Sequence, residues 1–219
     1  IRQAAQVLKK GGLVIIPTET VYGIAADGGN EETVKRLYGI KGRPEGKPFS
    51  LHISDKGKIE EFAADIAPSA YKLIDRFWPG PLTLVLKAKD GYHPLICGLD
   101  KTIGIRMPDS QVALRLISWA GVNVVCPSAN LSGKPAPLNF EQAIVDLNGA
   151  VDLAIDSGPA RLGVESSVVD LTGERVRVLR EGAIRSADIE GEIAGKTVLF
   201  VCTGNSCRSV MAEAYMKKR

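Results

Sequence analysis

The sequence is poor in the residues that build metal centres and disulfide frameworks. It has two histidines, His52 and His93, and four cysteines, which lack the paired spacing of a zinc site. We therefore expect neither a histidine-rich metal site nor a disulfide framework. Aromatic residues make up 5% of the chain and do not alternate with lysine or arginine. Their pattern does not indicate a stacking surface for single-stranded nucleic acid.

Long hydrophobic runs are also missing, because no segment approaches the roughly 20 apolar residues that a membrane-spanning helix needs. The chain has 45% hydrophobic residues, 24% charged residues and a net charge of +3, which is ordinary for a globular protein. We expect a soluble, cytoplasmic protein without a membrane partner. The opening IRQAAQVLKKGG predicts an amphipathic helix rather than a signal peptide. Because the sequence starts at Ile1 instead of methionine, we expect it to be part of a longer product.

Short β-branched runs alternate with segments of helical periodicity, and this alternation predicts an α/β protein. The predicted strands cover residues 13–16, 82–86, 102–105, 122–125 and 166–171. The predicted helices cover residues 31–38, 66–77, 111–120 and 140–147. Prolines and glycines cluster between them in RPEGKP, WPGPL and SGKPAP. These clusters indicate long, shaped loops, which often carry function.

Positive charge is concentrated just after the helix predicted at 31–38. Lys41, Arg43 and Lys47 lie within seven residues of backbone rich in glycine and proline. They would repel one another unless they are solvated or hold an anion. A triphosphate suits them, because lysine supplies a point charge and arginine can hold two phosphate oxygens at once. A solvated basic loop is the alternative interpretation.

Polar residues follow the strand predicted at 122–125. Ser128 and Asn130 stand directly after it, and polar residues at the carboxyl end of a strand commonly line the ligand crevice of an α/β sheet. A plain turn explains these two residues equally well. His52 lies on another strand candidate, between Leu51 and Ile53. Taken alone, such a histidine is more often structural than a ligand.

Six colinear motifs together carry a family resemblance. They are PTETVYGIAADG, KGR, GKPFSLHIS, TIGIRMP, PSAN, and VESSVVDL followed by VLREG. Over residues 1–184 the chain resembles the YrdC-like family of threonylcarbamoyl-AMP synthases. The resemblance implies an open, twisted mixed sheet with helices and a basic concave face. It also implies an enzyme that condenses L-threonine, bicarbonate and ATP into threonylcarbamoyl-adenylate and releases pyrophosphate.

The same resemblance implies partners and site residues. The product would serve the threonylcarbamoyl modification of tRNA adenosine beside the anticodon, and double-stranded RNA binding and Mg2+ with ATP are further expectations. The implied ATP-binding residues are Lys41, Arg43, Lys47, Thr102, Ser128, Asn130 and Arg180. The implied threonine-binding residues are Thr20, His52, Arg106, Ser128 and Ser166, of which Arg106 could pair bidentately with the carboxylate. The implied catalytic group is Lys41, Arg43, Ser128 and Asn130.

Three other functions stay open at the level of the sequence. A non-catalytic RNA-binding or nucleotide-binding module would use the basic face alone. A carbamoyltransferase of the same family would take carbamoyl phosphate, although Thr20, His52, Arg106 and Ser166 favour threonine. A phosphatase or arsenate reductase is the third alternative, and it depends on the last motif of the chain.

That last motif is VCTGNSCRS, which starts at Val201. A loop of this kind before a helix gathers an oxyanion on backbone N–H groups, and its positive field favours a cysteine thiolate. The motif resembles the loop of low-molecular-weight protein tyrosine phosphatases and arsenate reductases. The resemblance implies Cys202 as nucleophile, Arg208 as phosphate clamp, and Asn205 and Ser209 as supports. We expect a linker at 185–196 and a partial, inactive strand–P-loop–helix unit at 197–219, because that family's general acid lies further downstream.

Overall fold

The computed structural model describes residues 1–44, 47–98 and 100–194. Its helices are α1 Arg2–Lys9, α2 Glu31–Lys41, α3 Ile59–Phe62, α4 Pro68–Phe77, α5 Pro94–Cys97, α6 Gln111–Ala120, α7 Phe140–Val145 and α8 Ser186–Ala194. Its strands are β1 Val14–Ile16, β2 Gly23–Asp27, β3 Leu51–His52, β4 Ala63–Ala64, β5 Leu82–Ala88, β6 Thr102–Arg106, β7 Val124–Val125, β8 Leu153–Ala154, β9 Ser167–Asp170 and β10 Arg177–Arg180. The phosphatase-like unit predicted at 197–219 lies outside the described residues.

The strands of the described ranges form one mixed sheet, in the order β10-β9-β5-β6-β3-β7-β2-β1-β8. Strand β5 pairs antiparallel with β6 and parallel with β9. Strand β4 pairs with the far end of β5, beyond the part that β9 covers. Strands that are distant in sequence therefore meet at the centre of the sheet. The predicted α/β class with a mixed sheet is confirmed.

The central strands alternate between a core face and an open face. Ile103 and Ile105 of β6 are fully buried in the core, whereas Thr102, Gly104 and Arg106 line a cavity. Strand β5 alternates in the same way. Successive side chains of a strand point to opposite faces, so a single run of β-branched and small residues builds the core and the floor of the cavity together.

Helices cover the two faces of the sheet unequally. In the main core, residues of α2, α4 and α8 pack against the sheet. On the opposite face, α1 and α6 pack together over β1, β2 and β7 around a second core. That second core does not include β5, β6 or β9, so this part of the face stays open.

Several predicted boundaries shift for identifiable reasons. The helix predicted at 31–38 continues to Lys41 and stops where Gly42 adopts a left-handed conformation. The helix predicted at 66–77 starts at Pro68, because the residue before a proline disfavours the helical conformation. The prediction for 111–120 is confirmed as α6. No helix within the described ranges has both the length and the apolar character needed to cross a membrane.

The segment predicted as a linker is largely helical. Helix α8 occupies Ser186–Ala194 and packs against α4, and Ile189 is fully buried in the main core. The sequence pattern does not predict this helix, because glycines and charged residues separate the apolar residues Ile184, Ile189 and Ile193 that contact the main core. The linker assignment of residues 185–196 stays a prediction. The domain boundaries themselves stay a prediction.

Candidate active site

A cavity of about 260 Å³ lies on the open part of the sheet. Thr83 and Val85 of β5, Thr102 and Gly104 of β6, and Val168 of β9 form its floor. A Cβ atom on Gly104 would lie 3.3 Å from the hydroxyl of Ser50, so glycine keeps the floor clear at this point. The loops around the floor add charged and polar side chains at two ends of the cavity.

The first end is built around a buried ion pair between Arg106 and Glu19. Arg106 Nη2 donates to Glu19 Oε1 at 2.6 Å and to Thr20 Oγ1 at 3.0 Å, and Arg106 Nε donates to Gly80 O at 3.3 Å. The side chains of Arg106 and Glu19 are 6% and 1% exposed. Removing one member of such a pair typically costs about 3–5 kcal/mol, because the other charge stays buried without a partner.

This pairing changes the expected role of Arg106. Of the guanidinium nitrogens, only Nη1 has no hydrogen-bond partner among the described residues. A ligand carboxylate can therefore reach Nη1 but not the Nη1–Nη2 fork, whose second nitrogen is occupied. The expectation of bidentate pairing does not fit the structure, because the carboxylate of Glu19 already occupies Nη2. Glu19 lies 87 positions from Arg106 in the sequence, so a local pattern does not reveal this contact.

His52 lies beside Arg106 on the neighbouring parallel strand. Its Nδ1 is 3.3 Å from Ser50 O, and because a carbonyl oxygen only accepts, Nδ1 carries the proton. Burial lowers the pKa of His52 to about 3, and the charge of Arg106 contributes to the decrease. The imidazole is therefore neutral at pH 7, and Nε2 offers a lone pair.

The second end carries two arginines. Arg43 Nε donates to Lys47 O at 2.8 Å, and its guanidinium lies 5.1 Å from the centre of the Phe49 ring. Burial lowers the pKa of Arg43, and the nearby charge of Arg180 lowers it further. These two guanidinium groups are close enough to repel each other, so an anion between them would be stabilised.

Arg180 and Ser166 connect the two ends. Arg180 donates to Ser166 O at 3.0 Å and to Ser166 Oγ at 3.2 Å, and it forms an ion pair with Glu165 at 3.0 Å. Ser166 Oγ lies 3.0 Å from the hydroxyl of Thr83 on the cavity floor. The position of Arg180 is therefore determined by the segment that precedes β9.

Lys41, which we expected among the ATP-binding and catalytic residues, lies behind the cavity lining rather than in it. It is the last residue of α2, is 3% exposed, and does not line the cavity. Its Nζ donates to Ser128 O at 2.5 Å and to Asn130 O at 2.6 Å. Burial lowers the pKa of Lys41 to about 8, and Arg43 contributes to the decrease. Lys41 thus fixes the loop that carries Ser128.

The predicted site residues divide into three groups. Those that line the cavity are Thr20, Arg43, His52, Thr102, Arg106, Ser128, Ser166 and Arg180. Those that do not line it are Lys41, Lys47 and Asn130. Asn130 Nδ2 donates to Leu131 O and Lys134 O, while the Lys47 side chain is exposed. Those of the phosphatase-like loop, which lie outside the described residues, are Cys202, Asn205, Arg208 and Ser209.

Glu19 and Glu165 are the charged residues that sequence reasoning did not assign to the site. Each belongs to a quoted motif, PTETVYG or VESSVV, and each pairs with an arginine of the cavity. The available signal is a lone acidic residue among uncharged residues in each motif. The arginine with which each glutamate pairs depends on how distant strands come together. Local sequence patterns do not reveal that arrangement.

Comparison with protein families places the chain. The sequence model of the Sua5/YciO/YrdC family, described as telomere recombination, matches residues 6–182. The chain belongs to the Sua5/YciO/YrdC family. A second model, described as low molecular weight phosphotyrosine protein phosphatase, matches residues 197–219.

Relatives in the Sua5/YciO/YrdC family include enzymes and solved structures. The threonylcarbamoyl-AMP synthase of Bacillus subtilis is 42% identical over 194 residues, which are 88% of this chain and 56% of the relative. The crystal structure of Pyrococcus abyssi Sua5 complexed with L-threonine is 41% identical, with a TM-score of 0.85 over 88% of this chain and 57% of that chain. Escherichia coli YciO is 27% identical, with a TM-score of 0.76 over 86% of this chain and 91% of that chain. The chain thus spans little more than half the length of the first two relatives.

Proposed function

We propose that this member of the Sua5/YciO/YrdC family makes threonylcarbamoyl-adenylate from L-threonine, bicarbonate and ATP, with release of pyrophosphate. The observation that carries the proposal is the two-ended cavity. One end pairs Arg106 with Glu19 beside a neutral His52, and the other holds Arg43 and Arg180. The name of the Bacillus subtilis relative and the L-threonine complex of the Pyrococcus abyssi relative support it.

The arginine-rich end suits the triphosphate of ATP. Arg43 and Arg180 would bind phosphate oxygens, and Thr102 and Ser128 add hydroxyl groups to the lining of the same cavity. Positive charge at this position stabilises the pyrophosphate as it leaves. Lys41 contributes indirectly, because it holds the backbone of the Ser128 loop in place.

The other end suits an amino acid that carries a hydroxyl group. Arg106 Nη1 would donate to the carboxylate of threonine. His52 Nε2, which carries the lone pair, would accept a hydrogen bond from the threonine hydroxyl. Thr20 and Ser166 add hydroxyl groups to the same wall.

The chemistry needs no covalent intermediate on the protein. The threonine amine attacks the carbon of bicarbonate, a C–N bond forms, and water leaves. A carbamate oxygen then attacks the α-phosphorus of ATP, and pyrophosphate is the leaving group. Burial raises the pKa of Cys126, a thiol of the cavity wall, to about 12, so it stays protonated. The cavity mainly positions and desolvates the reactants.

In this proposal Mg2+ binds together with ATP. Within the described ranges, no group of three or more histidine, cysteine, aspartate or glutamate residues could hold a metal ion. Mg2+ would enter with ATP, on its phosphate oxygens. A role in the threonylcarbamoyl modification of tRNA and the binding of double-stranded RNA stay predictions. So do cytoplasmic localisation and the inactive phosphatase-like role of residues 197–219.

Titration calorimetry with amino acids tests the threonine site. We expect L-threonine to bind the chain, and L-valine, which replaces the hydroxyl with a methyl group, to bind at least about tenfold more weakly because His52 loses its partner. The surface variant Asp90→Ala should behave like the wild type, since Asp90 is exposed and, among the described residues, forms an ion pair with exposed Lys101. Equal binding of both amino acids would contradict the proposal. Binding of carbamoyl phosphate would favour the carbamoyltransferase instead, and binding of ATP without any binding of L-threonine would favour the nucleotide-binding module.

A further inference from the structure

The loop that carries Glu19 is fixed by its own hydrogen bonds. Thr18 Oγ1 donates to Val21 O at 2.6 Å and accepts from the backbone N–H groups of Thr20 and Val21. The carbonyl of Glu19 accepts from Leu162 N at 2.8 Å. Glu19 is therefore held by the surrounding backbone, and its carboxylate is an anchor for Arg106 rather than the reverse.

Three hydrogen bonds fix the orientation of the Arg106 guanidinium. Glu19, Thr20 and Gly80 engage Nη2 and Nε, and Nη1 is left for a ligand. An arginine side chain is long and flexible, and fixing it before binding reduces the conformational entropy that binding would cost. The orientation of Nη1 depends on Glu19, because Glu19 Oε1 makes the shortest of these contacts.

The second oxygen of Glu19 is not used by the fold. Glu19 Oε2 is buried and has no hydrogen-bond partner among the described residues. An unpaired buried oxygen costs stability, so a residue retained only for stability would be expected to have both oxygens paired. The loss of stability at Glu19 Oε2 is explained if the contact of Glu19 with Arg106 contributes to ligand binding.

We propose that Glu19 is a positioning residue, which aims Arg106 Nη1 at the carboxylate of the amino-acid substrate. This inference rests on the proposed function, and it concerns recognition of the carboxylate alone. It predicts that loss of Glu19 removes the preference of the site for a substrate with a carboxylate. It does not require any contact between Glu19 and the substrate.

The test compares L-threonine with L-threoninamide, which lacks the negative charge, by titration calorimetry on the full chain. For the wild type we expect threonine to bind at least about tenfold more tightly, as a charge-assisted hydrogen bond allows. For Glu19→Ala we expect the ratio of the two Kd values to fall to within about threefold of one. Glu19→Gln, whose amide oxygen can still accept from Nη2, should keep most of the preference. Asp90→Ala serves as the surface control.

A double variant keeps the test valid if Glu19→Ala folds poorly. Glu19→Ala combined with Arg106→Ala leaves no unpaired buried charge, and its ratio should equal that of Arg106→Ala alone. A wild-type ratio in folded Glu19→Ala, or a further loss in the double variant, would overturn the inference while leaving the threonine site intact. Absence of threonine binding by the wild type would overturn the proposed function itself, and this inference with it.

Discussion

Burial decides the protonation states of two residues at the cavity, His52 and Cys126. His52 is neutral because it cannot be solvated as a cation beside Arg106, and Cys126 keeps its proton for the corresponding reason. Arg106 forms a buried ion pair with Glu19. This end of the cavity thus offers a donor in Arg106 Nη1 and an acceptor in His52 Nε2, with little net charge.

The depressed pKa of His52 predicts a dependence of stability on pH. The folded value is about 3 and the ordinary value is 6.5, so between these pH values the unfolded chain binds more protons. The contribution of His52 is therefore complete above pH 6.5 and is lost as the pH falls towards 3. We expect the free energy of unfolding to decrease by about 2 kcal/mol between pH 6.5 and pH 5 on account of this group.

Urea unfolding at several pH values measures this effect. The variant His52→Gln removes the titrating group and should show a shallower pH dependence than the wild type. His93→Gln, which changes a histidine that is 45% exposed, should retain the wild-type dependence. Parallel curves for the wild type and His52→Gln would refute the assignment of a neutral buried imidazole.

Two loops of the site are held by elements that lie behind them. The last turn of α2 places Lys41 under the loop with Ser128, and the end of β10 places Arg180 against Ser166. Gly182 follows β10 and lies close to the same segment. A Cβ atom at this position would come within 2.3 Å of Glu165 O and 2.6 Å of Ser166 C, which is closer than van der Waals contact permits.

Gly182→Ala should therefore disturb the second end of the cavity. The backbone at Glu165 and Ser166 must shift, and the contact between Arg180 and Ser166 would weaken with it. We expect a loss of stability of about 1–3 kcal/mol, as for other overpacking changes, and weaker binding of ATP in a calorimetric titration. Gly173→Ala is the matched control, because its Cβ would meet nothing within 4 Å. Similar ATP affinity in both variants would show that this close contact is unimportant for the site.

At the scale of elements, the sequence predicts what depends on local pattern. The alternation in TIGIR gives both β6 and its division into core and cavity sides, and the helix at 111–120 follows from its periodicity. The role of Lys41 could not be predicted in this way. Its motif indicates a charge near a phosphate, and only the three-dimensional structure places the carbonyls of residues 128 and 130 at its ammonium group.

At the scale of the whole molecule, the unequal covering of the sheet creates the site. Helices α1 and α6 cover one part of a face, and the part formed by β5, β6 and β9 stays open and carries the cavity. The six motifs indicate the family, but they do not show which side chains converge. The ion pair of Glu19 with Arg106 and the packing of α8 depend on contacts between distant segments, and local sequence patterns carry no direct signal for such contacts.

Threonine-dependent release of pyrophosphate tests the central claim most directly. The chain is incubated with Mg-ATP and bicarbonate, with and without L-threonine, beside Arg43→Ala and the control Lys9→Ala, which changes an exposed residue of α1. The account predicts release that requires threonine, that is reduced at least about tenfold in Arg43→Ala through loss of a charge-assisted phosphate contact, and that is retained in Lys9→Ala. Release that is independent of threonine, or no release from a folded chain that binds both ligands, would contradict it.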